Sequence, residues 1–66
     1  MSAIEELCPH IDNDDDRLLV YILIEEGNLL RAISLVRSDG MNLITAAKLL
    51  RKIAKDDLNK DIFTFI

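Results

Sequence analysis

The chain has no tryptophan, one cysteine, one proline, one histidine and two glycines, and each scarcity removes a class of protein. A single thiol, Cys8, forms no internal disulfide, which sets aside the bridge-stapled secreted scaffolds and points to a reducing compartment. With His10 as the lone imidazole there are too few nitrogen and sulfur ligands for a tetrahedral zinc site within one chain. Gly27 and Gly40 stand singly, so a glycine-rich phosphate loop is absent. The longest apolar run, Leu18 to Ile24, has seven residues, whereas a membrane-crossing helix needs roughly 20. The first residues lack the basic start and long apolar stretch of a signal peptide, and the expected location is cytoplasmic, without a membrane partner.

What is present is apolar surface and an uneven charge. The 66 residues make one domain, 1–66, whose small size leaves it marginally stable, yet 50% of them are hydrophobic with only 5% aromatic. Such a chain carries more apolar surface than it can fold over itself, and self-association is expected. The formal charge of −4 hides an asymmetry: residues 1–27 hold eight acids against Arg17, a balance of −7, and residues 28–66 hold seven bases against four acids, a balance of +3. A dipolar chain of this kind suits charge-steered pairing with a protein, with a copy of itself or with a polyanion.

Helix signals recur along the chain. Ser2 with Glu5 has the form of a capping box, followed by Ile4, Leu7 and Cys8 on one face, until Pro9 ends the helix. The aspartates from Asp14 suit the start of a second helix. Its body, Leu18 to Ile24, is apolar on every side and rich in β-branched residues, so strand competes; the acidic cap before it and Gly27 after it favour helix. Asn28 predicts a helix to about Arg37, and Asn42 one in which Leu43, Ala46, Ala47, Leu50, Ile53 and Ala54 follow an amphipathic period. Asp56 or Asp57 is read as opening a short last segment, and the apolar tail through Ile66 as tucking into the core. The expected fold is all-α, a compact bundle of four or five short helices with a core of Leu19, Ile22, Leu23, Ile33, Val36, Leu43, Ala47, Leu50 and Ile53.

Few constellations carry chemistry. Asp12, Asp14 and Asp16 alternate as in a calcium-binding loop, but Arg17 stands where that loop needs glycine and Leu23 where it needs a bidentate glutamate. Cys8 and His10 could ligate a metal only in a site shared between subunits. No residue set has catalytic spacing, and neither an enzyme nor a cofactor is expected. The sharpest surface feature is Lys48, Arg51, Lys52 and Lys55, four of the eight basic residues, at i, i+3, i+4 and i+7 opposite the apolar face of the Asn42 helix. They form a solvated face, a contact for an acidic protein surface, or a recognition helix on phosphates.

Gly27-Asn28, Ala32-Ile33, Arg37, Gly40, Leu43 and Ala46 resemble the helical hairpin in the C-terminal domain of the bacterial ribosomal stalk protein, over about residues 27–50. In that family the hairpin belongs to an α/β domain and its second helix presents lysines to translation factors. Here Ile44, Thr45 and Ala47 stand at such positions, only Lys48 is basic by correspondence, and the spacing from Arg37 to Gly40 is one residue shorter. The resemblance implies a packing hairpin and no factor-binding residue. Extended over the whole fold, it implies an alternative α+β architecture in which 18–24 and 62–66 pair as strands.

The expected function is binding without catalysis: a small acidic protein-interaction module, an accessory, adaptor or inhibitor of bacterial or phage type, pairing with another protein and with itself as a homodimer. The alternative is a small helix-turn-helix transcriptional regulator with Lys48, Arg51, Lys52 and Lys55 on DNA phosphates.

Overall fold

A computed structural model describes residues 2–63, in which the chain forms four helices and, among those residues, no strand. The helices are α1 (Ala3–Leu7), α2 (Asp14–Glu25), α3 (Leu29–Val36) and α4 (Leu43–Leu58). The fold is an all-α bundle. The strand alternative for 18–24 is overturned, because that run lies inside α2; residues 64–66 of the other proposed strand lie outside the described residues.

Asparagines start the two longest helices. The Asn13 side chain accepts the Asp15 N–H at 2.8 Å, and the Asn42 side chain accepts the Thr45 N–H at 2.8 Å, each supplying an acceptor for an otherwise unpaired donor. Gly27, at φ +77°, closes α2: its N–H donates to the Ile24 carbonyl at 3.1 Å and the Asn28 N–H to that of Leu23 at 2.9 Å, the paired bonds of a Schellman turn. Gly40 is left-handed in the same way between α3 and α4, where Arg37 Nε donates to the Met41 carbonyl at 2.7 Å and the Met41 N–H to that of Ser38 at 3.0 Å. A Cβ at Gly27 would meet nothing within 4 Å, so Gly27→Ala is expected to cost only the backbone strain of a left-handed alanine, about 1 kcal/mol. A urea titration checks this, and an unchanged midpoint would contradict it.

Two local readings are corrected. The Ser2 side chain makes no capping bond to α1, and Glu5 turns instead to Arg17, whose Nη1 donates to it at 2.8 Å. The cap comes from another helix: Asp57 accepts the Ala3 N–H at 2.6 Å and the Ile4 N–H at 3.4 Å. Nor does Asp56 or Asp57 open a separate segment. Both lie inside α4, which runs on to Leu58 and stops at Asn59, a left-handed residue at φ 52°.

The long helix is the spine. At 1.5 Å per residue α4 extends about 24 Å and α3 about 12 Å, so α3 cannot cover it alone. Packing on α4 is shared by α3 and α1, while α2 packs mainly on α3 and touches α4 lightly. The core thus gathers Ala3 and Ile4 from α1 and Cys8 at its C-terminal end, Val20, Leu23 and Ile24 from α2, Ala32, Ile33 and Val36 from α3, and Ala46, Leu50, Ile53 and Ala54 from α4. Ile11 and Ile62, outside the helices, complete the cluster.

Of the expected core, Leu23, Ile33, Val36, Leu50 and Ile53 are buried and Ala47 is half-buried. Leu19, Ile22 and Leu43 are 42%, 43% and 54% exposed. In α2 the inward side is the one carrying Val20, Leu23 and Ile24, which puts Leu19 and Ile22 outside. Leu43 is the first residue of α4, a full turn ahead of the first buried position, Ala46.

Candidate interaction surfaces

With the core closed, five of the six exposed large apolar side chains mark two surfaces, while Leu30, 77% exposed, stands apart on α3. Leu18, Leu19 and Ile22 lie on the outer side of α2, and a groove of about 250 Å³ beside them is lined by Leu19, Leu23, Arg31, Ser34 and Leu35. On a helix, residues three and four apart are neighbours. Asp15 and Asp16 therefore flank Leu18 and Leu19 on one side, and Glu26 flanks Ile22 on the other. None of these three acids makes an ion pair among the described residues, whereas Glu25 meets Lys60 Nζ at 3.5 Å. Asp15, Asp16 and Glu26 less Arg31 give the α2 surface a local charge of −2.

The second surface is on α4. Leu43 and Ile44 are exposed, Ile44 by 68%, and a shallow groove of about 690 Å³ is lined by Ile44, Ala47, Lys48, Arg51 and Phe63. The predicted basic stripe borders it, with Lys48, Arg51, Lys52 and Lys55 all exposed along the same helix. Three of the four are already paired: Arg51 Nη2 with Asp61 at 3.4 Å, Lys55 Nζ with Asp61 at 3.8 Å, and Lys52 Nζ with Asp56 at 3.3 Å. Asp61 also accepts the Phe63 N–H at 3.2 Å. That bond first, then the charges of Arg51 and Lys55, holds its carboxyl below the usual carboxylate range. Four cations less Asp56 and Asp61 leave the α4 surface at +2. The stripe was legible from its spacing; Asp61 was not, because only the return of the chain after Asn59 brings it to α4.

The other candidates separate. Cys8 is fully buried, its Sγ 4.0 Å from the Val36 carbonyl, and burial pushes its thiol up. His10 is exposed, so a metal site shared between subunits through both residues would require α1 to detach. Asp12, Asp14 and Asp16 are exposed at the start of α2, with Asp14 held by Arg17 Nη1 at 3.2 Å. Among the described residues no three metal-binding side chains cluster, and no helix is long and apolar enough to cross a membrane.

A partly buried polar node ties three helices together. Asp57, besides capping α1, accepts the Tyr21 hydroxyl at 2.7 Å, joining α1, α2 and α4 through one carboxylate. Burial, and then the Asp57 carboxylate, push the Tyr21 hydroxyl up from its ordinary value. Its partners are all backbone or structural side chains, and it lines neither of the two grooves above. No protein-family model, curated protein or solved structure matches the chain.

Proposed function

We propose that the chain is a small, acidic, non-catalytic protein-interaction module that also associates with itself. The observation that supports this reading is the placement of six large apolar side chains, Leu18, Leu19, Ile22, Leu30, Leu43 and Ile44, at 42% to 77% exposure on a bundle whose core is otherwise closed. Apolar residues clustered at this density and rimmed by charge mark surfaces that another protein covers. The rims set orientation and encounter rate more than affinity. The intramolecular pairing of Arg51, Lys52 and Lys55 weighs against a phosphate-binding stripe, since phosphates would have to compete with Asp56 and Asp61.

Affinity capture with wild-type, Ile22→Glu and Ile44→Glu baits, with and without nuclease, tests the reading. A stoichiometric protein retained after nuclease by the wild type and lost by one of the variants is the expected result. Loss of all captured material on nuclease treatment, together with duplex binding that weakens by about 10³ between 50 and 200 mM salt and disappears in an Arg51→Glu, Lys52→Glu variant, would replace this reading with the DNA-binding regulator.

A further inference from the structure

Resting on the self-association reading, we infer that copies of this chain pair unlike faces, the acid-rimmed side of α2 on one copy lying against the basic-rimmed start of α4 on the next. Charge decides the pairing. Two α2 faces brought together would set −2 against −2, and two α4 faces +2 against +2, whereas the mixed contact opposes the signs. The two grooves have no residue in common, so one copy can offer both faces.

The register follows from spacing. Laid antiparallel with Ile22 opposite Ile44, α2 places Leu19 opposite Ala47, Leu18 along the aliphatic stem of Lys48, and Asp15 opposite Arg51. The positions correspond because both helices step by the same three- and four-residue intervals. Apolar residues then meet apolar residues at one end of the contact, and acid meets base at the other. Glu26 falls just ahead of the α4 N-terminus, where the helix end carries partial positive charge. A parallel arrangement centred on the same apolar residues puts Asp15 and Asp16 off the start of α4 and leaves Glu26 alone to face the stripe, so it matches fewer charges.

Complementation tests the pairing of unlike faces. Wild type, Ile22→Glu and Ile44→Glu are each run in sedimentation equilibrium up to millimolar concentration, and the two variants are then mixed one to one. Both positions are exposed, and circular dichroism checks that helix content is unchanged. The expected result is that the wild type associates, each variant alone is monomeric, and the mixture recovers a one-to-one complex through the intact α4 face of Ile22→Glu and the intact α2 face of Ile44→Glu. If either variant alone associates as the wild type does, like faces pair, and the inference fails while self-association stands; a mixture that stays monomeric also overturns it. A wild type that is monomeric throughout removes self-association itself. As a second pair that leaves the apolar centre intact, Asp15→Arg and Arg51→Asp should each weaken association about tenfold alone and recover it together; no recovery overturns the register.

Discussion

Leu50→Ala is expected to remove about 3 to 4 kcal/mol of stability and to move the unfolding midpoint far toward low urea. Leu50 is fully buried near the middle of α4, where the side chains of neighbouring helices cannot collapse into the space left. Truncating a buried leucine costs the transfer free energy of the lost carbons and the cavity besides. A domain of 66 residues has roughly 3 to 10 kcal/mol in hand, so one such cavity consumes a third of it or more. The control is Leu43→Ala. Both leucines belong to the apolar period of the same helix, but Leu43 is 54% exposed, and its loss should cost within about 0.5 kcal/mol. Urea denaturation of the two variants separates them; equal shifts would mean that α4 is seated differently on α3 and α1.

The second large effect falls on Asp57. Asp57→Ala removes the acceptor of the Ala3 N–H and of the Tyr21 hydroxyl at once, and hydrogen bonds to an ionised group are worth more than neutral ones. A loss of about 3 kcal/mol is expected, with α1 released first. Asp57→Asn keeps the shape and an acceptor oxygen and should recover about half. A pH dependence follows from Tyr21. Because its hydroxyl is raised in the folded state, the unfolded chain loses that proton first as pH rises. The stabilising contribution is present in full below the ordinary tyrosine value near 10 and fades as pH climbs through the raised one. Thermal melts across that alkaline window should show the fall in wild type and a shallower one in Tyr21→Phe; parallel curves would mean that Tyr21 carries none of it.

How far the sequence carried depended on whether each segment showed a period. In α4, apolar and charged residues alternate at helical spacing, and the period marks the buried Ala46, Leu50, Ile53 and Ala54, though it also includes Leu43, which is exposed, and Ala47, which is half-buried. Leu18 to Ile24 has no polar residue but the Tyr21 hydroxyl to mark a solvent side, so helix type was recoverable from its caps and its inward face was not. That ambiguity exchanged Leu19 and Ile22 for Val20 and Ile24. The α4 half of the candidate site was legible as the stripe from Lys48 to Lys55. The α2 half is hidden for the same reason: Leu19 and Ile22, expected in the interior from their apolar character, are exposed. The Asp57 cap joins residues at opposite ends of the chain, and the Asp61 clasp, though Arg51 is near in sequence, depends on the chain turning back after Asn59; helical periodicity encodes neither.

The division of α4 between two partners makes this a molecule with two tiers of order. The hairpin of α3 and α4 closes over a short turn fixed by Gly40 and Arg37. The five-residue α1 is far below the length at which a helix persists alone, and it is held by Ile4, Cys8 and one carboxylate near the far end of the spine. Fluctuations that lift α1 therefore need not disturb the hairpin. Amides of Leu50 and Ile53 should exchange with solvent only on global unfolding, those of α1 through a shallower sub-global opening. The Cys8 thiol, one per chain and buried against α3 at the end of α1, is a natural clock for that opening: its rate of alkylation counts how often the N-terminal helix leaves its seat.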